Sequence, residues 1–336
     1  MNKTVLYIGN DLSKNSKYPT MMATLSVLLE SEGYKVVKSS SKKNQLFRLL
    51  DMISTTIVKS VKVDYVLIDT FSTKNFYYAL LVSQIARVFK LKYIPILHGG
   101  NLPSRLERSP FLSRLIFKNS YINIAPSNYL KHVFEGKGFK VKFIPNVLEV
   151  ENYSFKLRKE ITPNILWVRA FKHLYNPMMA IEVLRKVKKK YPDASLCMIG
   201  PVKDDSFELV KSFVSDKNLD DSVDFTGVLS KEEWHKRSEE FDVFINTTNF
   251  DNTPVSVMEA MALGIPIVST NVGGMPFLIE HKKHGVLVEK NDSNQMSDAI
   301  VKMIENPPKE MILNARKKVE NFSWDQVRNQ WIKLLK

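Results

Sequence analysis

Residues 250–264 read Phe250-Asp-Asn-Thr-Pro-Val-Ser-Val-Met-Glu-Ala-Met-Ala-Leu-Gly264, and the chain continues Ile265-Pro-Ile-Val-Ser-Thr-Asn-Val-Gly-Gly274. The first part predicts a short helix. Thr253 offers a hydroxyl as N-cap, Pro254 suits a first helical position, where no backbone N–H is needed, and Gly264 supplies the stop. Between them the residues are apolar except Ser256 and Glu259, which share a face at i,i+3. A helix of this composition is buried on most sides, so the Glu259 carboxylate needs a partner. Ligand hydroxyls would serve; so would a core lysine or backbone amides. Asp251 precedes the helix in a loop after a predicted strand, Val243–Asn246, and is within reach of the same pocket. A further strand at 266–269 leads to Gly273-Gly274, which either allows close backbone approach and offers amides to a phosphate or sugar oxygen, or is an ordinary turn.

Strand, helix and strand in succession recur in both directions. Upstream, short β-rich runs at Val5–Ile8, Lys35–Lys38, Tyr65–Asp69, Tyr93–Leu97, Tyr121–Ala125 and Val141–Ile144 alternate with amphipathic runs such as Met21–Ser31, Gln45–Lys59 and Phe76–Phe89. A polar, charged stretch from Glu149 to Pro163 is expected to connect two domains. The alternation restarts at Ile165–Val168 and runs through Leu196–Ile199, Val223–Thr226, Val243–Asn246 and Val286–Val288. The pattern predicts an α/β protein of two doubly wound, mostly parallel domains flanking a cleft. Its ligands belong beyond the carboxyl ends of the strands. The expected boundaries are 1–148, 149–320 and a terminal helix at 321–336, with Trp324 and Trp331 on its packing face, crossing back to the first domain.

Two residues stand where that rule points. Arg169 directly follows the strand Ile165–Val168, and His98 follows Tyr93–Leu97 and precedes Gly99-Gly100. Either is a candidate for ligand contact; a surface arginine and a structural histidine are the alternatives.

At 336 residues the chain can bury two ordinary cores. One cysteine, Cys197, excludes a disulfide framework or a thiolate metal site, and a reducing, cytoplasmic setting is the expectation. No run is long and apolar enough for a membrane span, and the apolar run near the N-terminus is too short for a signal peptide. The net charge of +14 is unevenly shared: residues 1–150 hold 22 Lys and Arg against 9 Asp and Glu, while residues 151–336 hold 27 against 26. The basic first half suggests an anionic partner. Two of its segments, Lys42–Lys62 and Arg105–Lys118, mix cations with aliphatic and aromatic residues, as a membrane-interface helix or an ordinary sheet-covering helix would. No nucleic-acid-binding motif interleaves them, so no nucleic acid is expected.

Asp251 to Gly274 resembles the signature of the retaining glycosyltransferases of family four: two acidic residues separated by seven positions, here Asp251 and Glu259, then Ala260-Met-Ala-Leu-Gly-Ile-Pro-Ile-Val268 and Gly273-Gly274. The resemblance implies the GT-B fold, two Rossmann-like domains facing a central cleft, the first for the acceptor and the second for the donor. It implies sugar transfer from a nucleotide diphosphate sugar to a hydroxyl of a glycan or lipid-diphosphate-linked acceptor in surface polysaccharide synthesis. Glu259 would bind the ribose hydroxyls, with Ser256 beside it. Asp251 and His98 would orient the sugar; Arg169, Lys172 and the amides of Gly273 and Gly274 would hold the diphosphate as it leaves. Gly9 would lie in a loop approaching donor or acceptor. A diphosphate oxygen would act as base on the face that the leaving group vacates, domain closure would exclude water, and no metal or other cofactor is expected. The chain departs from the family at Asp251, usually glutamate, at Phe277 after the glycine pair, and at Leu174-Tyr175, where a clamp lysine is usual. A GT-B-shaped epimerase, a phosphorylase and a non-catalytic nucleotide-sugar-binding scaffold are the alternatives.

Overall fold

The computed structural model of the chain describes residues 3–11 and 20–336. They divide into two compact units, 1–147 with 324–336, and 148–323.

In the first unit the strands β1 (Thr4–Ile8), β2 (Lys35–Ser39), β3 (Tyr65–Thr70), β4 (Lys92–Leu97), β5 (Asn123–Ala125) and β6 (Val141–Phe143) form one parallel sheet in the order β2-β1-β3-β4-β5-β6. The intervening helices are α1 (Met21–Ser31), α2 (Gln45–Lys59), α3 (Phe76–Val88), α4 (Leu102–Arg108), α5 (Pro110–Phe117) and α6 (Asn128–Gly136). Strand side chains alternate between two cores, as the two-residue period of a strand requires. Leu6, Ile8, Val66 and Ile68 meet residues of α2, α3 and α5 on one face. Val5, Tyr7, Tyr65 and Leu67 meet α1 and the returning C-terminal helix on the other. Burial on both faces explains why these strands are continuous apolar runs.

The second unit holds β7 (Asn164–Val168), α7 (Pro177–Val187), β8 (Ser195–Ile199), α8 (Ser206–Asp216), β9 (Val223–Gly227), α9 (Lys231–Arg237), β10 (Val243–Asn246), α10 (Val255–Ala262), β11 (Ile267–Thr270), α11 (Met275–Leu278), β12 (Val286–Val288), α12 (Ser293–Glu305) and α13 (Lys309–Glu320). Its sheet, also parallel, runs β12-β11-β10-β7-β8-β9. The strand order reverses between β7 and β10 here and between β1 and β3 in the first unit, the places where open α/β sheets leave a crevice. The chain then returns to the first unit as α14 (Trp324–Leu334). Val327, Trp331, Leu334 and Leu335 enter that unit's core, and the Trp324 indole N–H donates to Glu32 at 3.1 Å.

The stretch 149–163, expected to connect the two domains, belongs to the second unit. It packs on the second unit: Val150, Tyr153 and Ile161 are buried, and so is Arg158. The Arg158 guanidinium donates to the carbonyls of Phe241, Ser238 and Leu263 and faces Asp242. An arginine that satisfies carbonyls left open at loop and helix ends anchors a strap.

Candidate functional site

The crevice between β7 and β10 is built by loops stapled to one another. Trp167, buried in β7, donates its indole N–H to Thr247 Oγ1 at 3.0 Å, and that hydroxyl donates to the Tyr175 carbonyl at 2.8 Å. The Asn249 amide donates to the Leu174 carbonyl at 2.8 Å. The loop after β7 is thereby held against the loop after β10, and between them Arg169 forms an ion pair with the Asp251 carboxylate through Nη2 and Oδ2. The Tyr175 ring lies 4.5 Å from the Arg169 guanidinium carbon, a cation–π contact at the place where a clamp lysine was expected. Burial lowers the Arg169 pKa from its ordinary value, and its Nε has no hydrogen-bond partner among the described residues.

Glycines fix the backbone on which this pair stands. A Cβ on Gly273 would sit 2.2 Å from the Asp251 carbonyl oxygen, one on Gly274 1.9 Å from that of Asn252, and one on Gly200 1.9 Å from that of Arg169. Gly273 also has φ +53°. The Gly274 N–H donates to the Asp251 carbonyl at 2.9 Å, so that amide is committed to placing Asp251, not open to a phosphate. Phe277 stands part-exposed on α11, just beyond the pair.

Helix α10 begins one residue later than expected. Pro254, at φ −69° and ψ 125°, is itself the N-cap; no side chain caps the helix, and Thr253 does not take that role. With ψ at 125° Pro254 stays outside the helix, so the cap position falls on a residue whose side chain has no acceptor to offer the free amides. At the other end Gly264, at φ +75°, sends its N–H to Met261, and Ile265 sends its own to Ala260, the paired bonds of a Schellman stop. Ser256 is part-buried near the start, one turn before Glu259, which is only 5% exposed. The Tyr153 hydroxyl donates to Glu259 Oε1 at 2.9 Å, and the Lys231 ammonium lies 3.3 Å from the same oxygen. Burial raises the Glu259 pKa; Lys231 and the tyrosine hydrogen bond oppose the rise. Lysine and tyrosine therefore satisfy a carboxylate whose helix is otherwise apolar.

Neither partner was singled out in the sequence. Lys231 opens α9 behind a capping box in which Ser230 and Glu233 exchange hydrogen bonds, and Ser-x-x-Glu at 230–233 was the available signal. Tyr153 lies in the strap that composition disguised as a linker. Lys172 is exposed on the loop after β7. Among the described residues, His173, Asp204 and Asp205 are the one group spaced to hold a metal ion, on an exposed edge where the His173 ring already meets Asp205 at 2.7 Å.

In the first unit His98 is 8% exposed, at the end of β4. Its Nε2 lies 2.8 Å from Asp69 Oδ1, which also accepts the Tyr7 hydroxyl at 3.0 Å, and Phe71 stacks on the imidazole at 5.0 Å. Asp69 is the penultimate residue of β3 and the last of the strand expected there, so the strand-end rule pointed to it as directly as to His98. Gly9 directly follows β1. Its N–H donates to the Ser39 carbonyl at 2.8 Å, and a Cβ there would fall 2.5 Å from Asp69 Oδ2. Gly9 makes room for the carboxylate that pins His98, and its amide is already used. Pro145 and Asn146 line a cavity of about 10 Å³ with Tyr7 and His98.

An arginine, a carboxylate and a close-packed glycine pair stand at a reversal of strand order, the ligand-binding position of the class of open, doubly wound α/β proteins to which the chain belongs. Residues 149–319 match the family of group 1 glycosyl transferases, and the chain belongs to that family. It is 26% identical over 249 residues to the amylovoran biosynthesis glycosyltransferase AmsK of Erwinia amylovora, an alignment covering 70% of this chain and 61% of that protein. The chain thus spans less than two thirds of that relative's length. The structure superposes on sucrose-phosphate synthase from Thermosynechococcus elongatus with a TM-score of 0.78 at 16% identity, covering 99% of this chain and 98% of the other. It superposes on Anabaena HepE in complex with UDP-glucose with a TM-score of 0.75 at 15% identity, covering 99% of each. Two parallel Rossmann-like units with a returning C-terminal helix are the GT-B fold.

Proposed function

We propose that the chain transfers a sugar from a nucleoside diphosphate sugar to a hydroxyl of a glycan or lipid-diphosphate-linked acceptor, with retention at the anomeric carbon. The observation that carries this reading is the part-buried Arg169–Asp251 pair at the β7/β10 reversal, beside a helix whose one acidic residue, Glu259, is held ready by Tyr153 and Lys231. Glu259 accepts the ribose hydroxyls. Arg169 leaves Asp251 for the diphosphate, whose charge grows as the glycosyl bond breaks, and the freed Asp251 carboxylate meets the sugar. His98, its ring oriented by Asp69, is assigned to the substrate, with no nucleophilic role for either carboxylate. AmsK acts in polysaccharide synthesis by name, and HepE was solved with UDP-glucose; both support a sugar nucleotide as donor and a growing glycan as acceptor.

No helix among the described residues is long and apolar enough to cross a membrane. The basic first unit supports peripheral association with the anionic cytoplasmic face of a cell membrane, where a lipid-linked acceptor would lie.

A thermal-shift panel of UDP, GDP, ADP and their sugar conjugates tests the donor assignment, because a ligand of the folded state raises its stability. One nucleotide family is expected to raise the melting temperature, and Glu259→Ala to abolish the rise. Silence across the panel would sink the reading.

A further inference from the structure

We infer that the outer face of α2 is the surface by which the first unit docks on an anionic phospholipid bilayer. The inference rests on the membrane part of the proposed function and names the residues that carry it.

The two faces of α2 differ in chemistry. Inward, Arg48, Met52 and Thr56 recur every fourth residue and are buried. The Arg48 guanidinium donates to the carbonyls of Lys42 and Lys43 and to Asn10 Oδ1, which clamps the start of the helix to the loop after β1. Outward stand Leu46, Phe47, Leu50, Ile57, Val58 and Val61. Phe47 is 62% exposed, Val58 68% and Val61 86%. Single exposed apolar residues need no explanation, but six on one side of one helix and its end do. Lys42 and Lys43 precede this stripe, part-buried Lys59 falls between Val58 and Val61 near its end, and Lys62 follows it. The acidic residue within the helix, Asp51, is part-buried and accepts the Ser39 hydroxyl at 3.0 Å. An apolar stripe closed at both ends by lysines is the form of a helix lying in the plane of a lipid interface, its cations at headgroup level.

The other basic segment, residues 105–118, is built differently. Leu106, Ile116 and Phe117 are buried in the core, and Arg105 is turned inward, donating to the Ser72 carbonyl at 3.0 Å and lying 4.8 Å from the Phe76 ring. Phe111 is the large apolar side chain that this segment exposes. It covers the sheet and is not the docking face.

Charge selects the occupant. A second copy meeting α2 through the same face would bring Lys42, Lys43, Lys59 and Lys62 against their counterparts, whereas phosphatidylglycerol headgroups neutralise them.

The test is flotation of the full chain with phosphatidylglycerol–phosphatidylcholine vesicles and with phosphatidylcholine alone. The native chain should float with the anionic vesicles only. Phe47→Ser with Val58→Ser should weaken partition by about tenfold or more, and Lys42→Glu with Lys43→Glu by at least about fivefold per charge. Phe111→Ser should change little. All variants should keep the native melting temperature and the nucleotide-induced shift, which separates docking from donor binding. Binding by the native chain that survives the α2 changes would overturn the assignment of this face and leave membrane association standing. Failure of the native chain to float would overturn both, and loss of a dimer in the α2 variants would assign the face to a second copy instead.

Discussion

Glu259 places a carboxylate where burial works against its ionised form, and its effect on stability follows from that. Its pKa is raised above the ordinary 4.5 by burial. A carboxyl whose folded pKa lies above the unfolded one favours the fold most at low pH, and that contribution is lost as pH rises through the folded value. Glu259→Gln removes the charge and keeps an oxygen for the Tyr153 hydroxyl. The variant should melt close to the native protein below the ordinary glutamate pKa and above it at neutral pH, while losing the nucleotide-induced shift. Paired melting curves from acid to neutral pH check the sign; a variant less stable at neutral pH would show that the Lys231 contact outweighs desolvation. Such a trade of stability for function is ordinary at binding sites. Arg169, Asp251, Glu259 and His98 could be picked out because position at a strand end, or as the one charge on an apolar helix, is visible locally. Their partners could not. Tyr7 and Asp69 meet across 62 residues and Tyr153 and Glu259 across 106, so each pair exists only once parallel strands and a strap have brought them together.

Helix α9 links the site to pH by a second route, and its weak point is His235. The imidazole packs 4.6 Å from the rings of both Tyr153 and Trp234, and its Nε2 is buried with no hydrogen-bond partner among the described residues. Burial first, and then the Lys231 charge, push its pKa down to about 4. Between 4 and the ordinary 6.5 the unfolded chain binds the extra proton, so the stability due to neutral His235 is complete above that window and drains as pH falls through it. Hydrogen exchange should show α9 losing protection relative to α7 between pH 7 and pH 5, about the span of an ordinary histidine titration, and His235→Phe should remove the difference. Equal protection of α9 at both pH values in the native chain would refute this. The helix start at Ser230 was present in the sequence as a capping box; the burial of His235 without a partner for its Nε2 was not, because it depends on Tyr153 from the strap. The α10 stop was legible for a related reason: Gly264 serves a local φ of +75°, and the contact of its Cα with Lys156, where a Cβ would lie 2.4 Å from the carbonyl oxygen, adds a tertiary demand of the same sign.

At the scale of the molecule, six strands alternate with helices in each half, and central strands buried on both faces, such as β1, β4, β8 and β10, are apolar almost throughout, which together announced two parallel α/β units. The last helix was expected to cross back to the first domain, and it does; its contacts there were less visible. An amphipathic segment shows that it has a face to bury, and only the folded chain shows against what. Here α14 covers the β1–β3–β4 face of the first unit, setting Val327, Trp331, Leu334 and Leu335 against Val5, Tyr7 and Leu67. Burial of four such side chains contributes on the order of 6–12 kcal/mol, comparable to the whole stability of an ordinary domain. Ending the chain after Ser323 should therefore unfold the first unit selectively. The second unit keeps its own core, its strap and the Arg158 anchor, none of which draws on residues beyond 323. Limited proteolysis of the truncated chain should degrade residues 1–147 and leave a resistant fragment covering 148–323, and that fragment should retain the nucleotide-induced thermal shift, since Arg169, Asp251, Glu259, Tyr153 and Lys231 all lie within it. Truncation that destroys both units together would mean that the second core depends on the first. Survival of both would mean that the sheet face beneath α14 tolerates exposure, against the burial of Trp331 at 3% exposed.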